Sequence, residues 1–357
     1  MAALKSSLTF AVSTLALSAC VTPGIDYTAE VAPGNPEAAS YRSVAVDRFQ
    51  GPLGDWYAGE FQAMLQSAAF NGAPWFQVGL FSGQSNVDGV YDGSLDVGYP
   101  YVAERYYTDS QCVKREEIDG KKKCVKKVDV EYVCLKYSVD VAVRPRLIDK
   151  KDGILIHRAE YLGSDSEEEC FETGFVQYRI RRGPGDPGKG KYRFAYEDYG
   201  APGYSLGADY IIDRITASAL RQTIWQARRD IAPFNQDVRA TIQTEAQNYE
   251  VAADPRFEAA VNAVRNNDPG TACGLFTSLA AQYPKAPSVL HNLGACAEAL
   301  GDKDRAQSLY AEAAEGVRAL GLEPTDRMKN ALSRISDLKT DAVVLDQLIP
   351  DQRPPGS

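Results

Sequence analysis

The chain has 357 residues, with 48 acidic against 39 basic side chains and a formal net charge of −9. Hydrophobic residues make up 44% of it and charged ones 24%, the composition of a folded chain long enough for roughly two domains. An acidic balance of this size excludes nucleic-acid binding by bulk electrostatics.

Lys5 opens the chain with positive charge, and Leu8 to Leu17 is an apolar run broken only by Thr9, Ser13 and Thr14. It is too short to span a bilayer, which needs about 20 apolar residues, so it reads as a signal sequence. The run ends in Leu17-Ser18-Ala19-Cys20, which resembles the lipobox of bacterial lipoproteins. The resemblance implies that the Cys20 thiol is acylated, the signal is removed, and the new N-terminus is acylated too. Each buried methylene contributes roughly 0.8 kcal/mol, so several chains anchor stably. Val21 follows Cys20 where an Asp favours inner-membrane retention. The expected location is therefore the outer membrane, lipid-anchored and facing the periplasm, with the inner membrane as the alternative. No other segment is long and apolar enough for a membrane helix. Residues 21–40 carry Pro23, Gly24, Pro33, Gly34 and Pro36, the composition of a flexible tether.

The folded body is expected to begin with a strand at Ser43–Phe49, where Val44 and Val46 alternate. Gly51, Pro52 and Gly54 make a turn. A helix follows with Trp56, Gly59, Phe61, Met64, Leu65, Ala68 and Ala69 at helical spacing. Asn71-Gly72-Ala73-Pro74 ends it, and Trp75–Val78 is a second strand. Val87 to Tyr107 continues as strand. Asp119-Gly120 and Lys151-Asp152-Gly153 signal hairpins, with an extended run from Val128 to Val143 between them. Phe175–Ile180 and Tyr192–Tyr196 form a third candidate hairpin around a glycine-proline loop. A long helix spans about Leu206 to Arg229, with Ile211, Ile212, Ile215, Ala219, Leu220 and Ile224 on its apolar face, and Pro233 closes it.

Over residues 41–245 this order resembles the domain of the curli secretion channel lipoprotein (CsgG) family. The likeness rests on Val44-Ala45-Val46 with Phe49, the helix, Phe76 and Val78, the hairpins and the closing helix. Related folds occur in the N-terminal domain of TolB and in lipoprotein activators of penicillin-binding proteins. The curli channel has apolar hairpins that join a membrane barrel. The hairpins here carry Lys121, Lys122, Lys123, Arg179, Arg181 and Arg182. A charge on a lipid face costs roughly 2–4 kcal/mol at mid-bilayer, which argues against a pore.

In the C-terminal part, Ala272 and Ala306 stand 34 residues apart, as do Phe276 and Tyr310. That is the tetratricopeptide period. Leu293, Gly294, Ala306 and Tyr310 resemble the family's L-G…A-x3-F/Y pattern. The first repeat departs from it, with Arg256, Ala259 and Ala260 where Trp, Leu and Gly are common. Small residues are needed where paired helices approach closely, and the aromatic fills the groove between repeats. Thr325–Leu338 is the expected capping helix. Such modules present a concave surface to a peptide or protein. So few repeats are expected to lean on the first domain or a partner.

With Cys20 assigned to lipid, six cysteines remain in an oxidising compartment: Cys112, Cys124, Cys134, Cys170, Cys273 and Cys296. An even number suggests disulfides. Cys273 and Cys296 lie nearly equally far from the turn at Pro284-Lys285, which puts them level on antiparallel repeat helices. The pairing of the other four is ambiguous, with Cys112–Cys124 and Cys134–Cys170 favoured. A strict two-residue turn at Asp119-Gly120 would set Arg115 opposite Cys124, so the first of these needs a longer or bulged loop.

No enzyme signature emerges. Gly183 to Lys189 spells G-x4-G-K, but Gly190 follows where a phosphate loop needs Ser or Thr and then a helix. His157 lies in a strand and His291 on a repeat helix, and each reads as a structural or surface histidine. The acidic run at Asp165 and Glu167–Glu169 lacks the spacing of a calcium loop. There is no CxxC pair, and no metal or other cofactor is expected. Lys114, Arg115, Lys121, Lys122, Lys123, Lys126 and Lys127, against Glu116, Glu117 and Asp119, reverse the chain's sign locally. They form a candidate patch for an anionic partner.

The reading is an α+β domain with a mixed sheet, long hairpins and packed helices, followed by an all-α tetratricopeptide-like module at 250–340 and a disordered tail at 341–357. The expected function is a non-enzymatic scaffold or regulator of an envelope assembly, in secretion or cell-wall synthesis. Its expected partners are envelope proteins through the repeats and the membrane through the anchor. A subunit of an oligomeric secretion channel is the alternative.

Overall fold

A computed structural model describes residues 22–79, 87–179, 190–195 and 207–349. The signal segment with Cys20, the Gly183–Lys189 loop with Arg181 and Arg182, and the tail from Pro350 lie outside the described residues. In chain order the first elements are β1 (Gly24–Val31), α1 (Pro36–Ser40), β2 (Ser43–Gln50), α2 (Gly54–Ser67) and β3 (Ala69–Phe70). Then come β4 (Ala73–Pro74), β5 (Gln77–Gly79), β6 (Gly89–Val97), β7 (Tyr101–Ile118), β8 (Lys121–Asp149), β9 (Leu155–Arg158), β10 (Tyr161–Arg179) and β11 (Gly190–Ala195). The chain continues through α3 (Gly207–Ile231), β12 (Phe234–Thr241), α4 (Tyr249–Ala253) and α5 (Pro255–Arg265). It closes with α6 (Pro269–Gln282), α7 (Pro287–Ala299), α8 (Lys303–Ala319) and α9 (Asp326–Leu348).

The chain divides into two compact units. Ala32–Phe234 form one, and the residues up to Val31 together with those from Asn235 onward form the other. This differs from the sequence reading at three points. Residues 24–31, expected within a tether, are a β-strand, and they belong with the C-terminal unit. The last strand of the expected 41–245 domain, β12, pairs with β1, so the division falls near residue 234. Residues 341–348, expected in a disordered tail, continue α9.

In the α+β unit, β2 pairs in parallel with β5 and with β6. The other strand pairs of the sheet are antiparallel, in the order β11-β10-β8-β6-β2-β5. The sheet is therefore mixed. Its spine is β8, 29 residues long. Along one edge β8 pairs with β6 and then β7, and along the other with β9 and then β10. Helices α2 and α3 pack against the sheet. Tyr57, Phe61, Met64 and Leu65 are the buried side of α2, and the Phe49 ring lies 5.0 Å from Tyr57 and 5.5 Å from Phe61. Burying each such ring contributes about 1.5–3 kcal/mol. Trp56 is 36% exposed. It sits in the first turn of α2, off the stripe that Tyr57, Phe61 and Leu65 define at i, i+4 and i+8.

On α3, Ile211, Ile215, Ala219, Leu220 and Ile224 are buried. Its polar side covers the edge of β10: Gln222 and Gln226 donate to the Ser164 and Leu162 carbonyls at 2.9 and 2.8 Å.

In the second unit, β1 and β12 run antiparallel as a two-stranded ribbon. Ile242 N–H donates to Pro23 O at 3.1 Å, and Arg239 clasps Asp26 through two bonds of 2.6 and 2.7 Å. Ile25 and Ala29 from one strand, with Ala240 at the end of the other and Ile242 just beyond it, enter the core of the helices. Asp26 and Arg239 face outward, the alternation of a half-buried strand. Helices α5 to α9 each pack on the next. Asp254, Asp268, Asp302 and Thr325 cap the starts of α5, α6, α8 and α9 by accepting from backbone N–H groups. Each cap is worth about 1 kcal/mol.

Candidate interaction site

The helical unit is built on the residues singled out by their spacing. Ala272, Phe276, Ala306 and Tyr310 are fully buried, and Leu293 is 8% exposed; all five share one core. Gly294 faces the Tyr310 ring: a Cβ placed there would lie 2.7 Å from ring carbons. Cys273 and Cys296 are joined, tying α6 to α7 with their Cα atoms 5.8 Å apart. Arg256 stands where the repeat pattern favours Trp, and it links helices by hydrogen bonding instead. It donates to Asp254 on its own turn and to Ser278 Oγ on α6 at 3.0 Å.

Behind this packing lies a buried polar cluster that the sequence did not suggest. Glu298 on α7 is 2% exposed. It accepts from Tyr27 on β1 at 2.5 Å, from Tyr310 on α8 at 2.6 Å, and from both arms of Arg334 on α9 at 2.6 and 2.9 Å. Burial pushes the Glu298 carboxyl up, but the bonds from Arg334, Tyr27 and Tyr310 outweigh it and hold the group below its ordinary range. Burial, reinforced by the same carboxylate, raises both tyrosine hydroxyls.

Through Tyr27, Ile25 and Ala29, β1 lies against α5, α7 and α9, the alternate helices of the series. The face those three helices present is therefore occupied by the chain itself. Clefts of about 410 and 590 Å³ flank the ribbon. The smaller is lined by Tyr27, Thr28, Leu300 and Lys303, the larger by Gln236, Arg239, Asn330 and Asp337.

His291 is fully buried and donates from Nε2 to the Thr241 carbonyl at 3.0 Å. Burial pushes its pKa down to about 4. In the α+β unit, His157 Nδ1 lies 3.0 Å from the Asn35 amide nitrogen and Nε2 3.1 Å from Asp230, which also accepts from Tyr161 at 2.6 Å. The close approach of His157, with the bond from Tyr161, holds the Asp230 carboxyl below its ordinary range against burial. Both histidines are struts between elements.

The second candidate surface is the β7–β8 hairpin. Asp119 and Gly120 have φ of 55° and 70°. Both are left-handed, as a two-residue type I′ turn requires. Arg115 does stand opposite Cys124. The Cys112–Cys124 bridge forms nonetheless, with Cα atoms 5.8 Å apart, because the register shifts on either side of Lys114. Those shifts leave Val113 on one strand and Val125 on the other without a partner. Cys134 and Cys170 are joined directly across β8 and β10. Their sulfurs lie close to a Glu168 carboxylate oxygen, but bonded to each other they offer no thiolate to a metal. In the acidic run, Glu167 pairs with Arg214 of α3.

No protein-family profile matches the chain. No curated protein matches it either. Among solved structures, it is similar to a proposed neuraminyllactose-binding hemagglutinin homolog from Helicobacter pylori. The identity is 14% and the TM-score 0.25, over 56% of this chain and 89% of that one. A likeness that small carries no argument about function. Among the described residues no helix is long and apolar enough to cross a membrane.

Proposed function

We propose that this chain is a membrane-anchored envelope lipoprotein that acts as a non-enzymatic scaffold or regulator of an envelope assembly through protein–protein contacts. The observation that best supports it is the seating of β1 on α5, α7 and α9. Gly24 opens β1 only four residues after Cys20. An extended chain covers about 3.3–3.6 Å per residue, so a lipid on Cys20 holds the helical unit within roughly 15 Å of the bilayer. The anchor is then continuous with the tetratricopeptide-like module rather than with a long tether. Partner proteins meet the outward surfaces of that module, where Leu300, Leu320 and Leu322 are exposed. The test is photocrosslinking in cells from positions 300 and 320, with Cys20→Ser alongside. Reproducible capture of one envelope protein, with loss of acyl labelling in Cys20→Ser, is expected. No crosslink from either position, with activity intact after deletion of residues 250–357, overturns the scaffold reading.

A channel subunit is the second reading. It is favoured by the antiparallel array β7-β8-β10-β11, whose outer strands β7 and β11 pair with no further strand among the described residues. Ring-shaped particles of the acylated protein in detergent would favour it. A single-copy mass there would exclude it.

A further inference from the structure

Among the described residues, the outer part of the β7–β8 hairpin pairs only with itself. The β8–β10 register ends at Val176 beside Asp129, so from Val128 outward β8 pairs with β7 alone among the described strands. About eight residues remain on each strand, a ribbon of about 27 Å at 3.4 Å per residue. A two-stranded ribbon of that length is marginal by itself in water. The Cys112–Cys124 bridge closes it part-way along.

The ribbon's charge is set against that of the whole molecule. Between Cys112 and Lys127 there are seven cations and three carboxylates, on a chain of net charge −9. Two cations are engaged: Lys114 with Glu116 at 2.6 Å and Lys123 with Asp119 at 3.5 Å. Arg115, Lys121, Lys122, Lys126 and Lys127 are exposed. Among the described residues none of these five has a carboxylate within ion-pair distance.

The cations do not share one face. Residues directly opposite in an antiparallel pair project to the same side, and successive residues alternate. Ile118 with Lys121 and Glu116 with Lys123 are on one face, and Glu117 with Lys122 is on the other. An acidic protein docking flat would meet half of them, whereas a layer of anionic headgroups entered tip-first meets both sides. The apolar side chains fit the same approach. Val113 is 54% exposed, Val125 43% and Ile118 40%. Val113 and Val125 are the two residues released by the register shifts, and each stands between a cysteine of the bridge and a lysine, Lys114 or Lys126. Small apolar groups among lysines are the chemistry of the bilayer interface.

We propose that the tip of the β7–β8 hairpin is a binding site for the surface of an anionic phospholipid bilayer. It supplies a second, electrostatic membrane contact beside the acyl anchor. The proposal takes its setting from the envelope reading, but its test does not use the anchor. The probe is the purified Cys20→Ser chain with vesicles of phosphatidylcholine alone or mixed with phosphatidylglycerol. Co-sedimentation with the anionic vesicles only is expected, weakening as salt is raised. Substituting Gln at Lys121, Lys122, Lys123, Lys126 and Lys127 should weaken it at least tenfold, with the Cys112–Cys124 bridge still present by mass. Val113→Ser/Val125→Ser should weaken it while leaving its salt dependence in place. Equal binding to both vesicle types overturns the proposal, as does no binding to either. So does binding to soluble dextran sulfate but not to vesicles, which would make the hairpin a polymer site. If instead Cys20 is never acylated in cells while anionic vesicles still bind the chain, the anchor reading fails and the hairpin site stands.

Discussion

Gly294 on α7 and Tyr310 on α8 occupy one space, since any side chain at position 294 would stand 2.7 Å from the Tyr310 ring. In an exposed helix Gly→Ala stabilises by roughly 1 kcal/mol. Here the sign reverses, because overpacking a well-filled core costs typically about 1–3 kcal/mol. Gly294→Ala should therefore lower the urea midpoint of the helical unit. Adding Tyr310→Leu should cost less in the Gly294→Ala background than in the parent, since the two positions share a contact. Strict additivity of the two changes would show that they do not compete for room.

The buried carboxylate of Glu298 pairs with Arg334, which is 23% exposed, and two tyrosine hydroxyls complete its hydrogen bonding. Removing one member of a fully buried pair costs about 3–5 kcal/mol, and the partial exposure of Arg334 puts Glu298→Gln at or below about 3 kcal/mol. Glu298→Gln with Arg334→Met should recover part of the loss, because no uncompensated charge remains. Tyr27→Phe removes a single hydrogen bond to a charged acceptor, worth roughly 1.5–3 kcal/mol. Its effect should concentrate in faster amide exchange over residues 24–31. Protection of β1 equal to the parent's would mean that Tyr27 does not hold the strand down.

The bridges at Cys273–Cys296 and Cys112–Cys124 span 23 and 12 residues. The first crosses the core of the helical unit, so Cys273→Ser/Cys296→Ser should lower global stability by about 3 kcal/mol. The second lies in a ribbon that carries little of the core. Cys112→Ser/Cys124→Ser should leave the main unfolding transition in place and speed proteolysis between residues 111 and 128. A global midpoint shift of equal size in both variants would mean that the ribbon folds as one with the sheet.

The local patterns were readable from sequence, and the long-range pairings were not. Phe61, Met64 and Leu65 recur at helical spacing, although Tyr57 rather than Trp56 begins the buried stripe; Asp119-Gly120 marks its own turn; and the spacing of Phe276 and Tyr310 points to two core residues. Each is a local rule of backbone geometry. β1 was missed because Pro23, Gly24 and Pro33 dominate the composition around it. The alternation of Ile25, Tyr27 and Ala29 becomes meaningful only beside Val238, Ala240 and Ile242, about two hundred residues later. Glu298 looked like any helical glutamate. Its burial follows from three elements that converge on it, which no local pattern encodes. The favoured Cys112–Cys124 bridge called for a longer or bulged loop; the turn keeps two residues, and the irregularity sits in the strands at Val113 and Val125 instead.

His291 gives the helical unit a dependence on pH with a definite sign. It is fully buried, its Nε2–H donates to Thr241 O, and burial lowers its pKa to about 4 from the model-peptide value of 6.5. A group whose folded pKa is depressed prefers its neutral form in the fold, and unfolding lets it take up a proton. Its stabilisation is complete above pH 6.5 and is lost as pH falls from 6.5 towards 4. The full span is on the order of 3 kcal/mol, of which about 2 kcal/mol goes by pH 5. Glu298 and Asp254, both held below the ordinary carboxylate range, add their losses at lower pH. Between pH 6.5 and 5 the difference between parent and His291→Gln therefore isolates this one side chain. Gln can keep a donor near Thr241 O but takes up no proton, so its urea midpoint should vary less across that interval. If parent and variant lose stability in parallel from pH 6.5 to 5, His291 is not the group responsible.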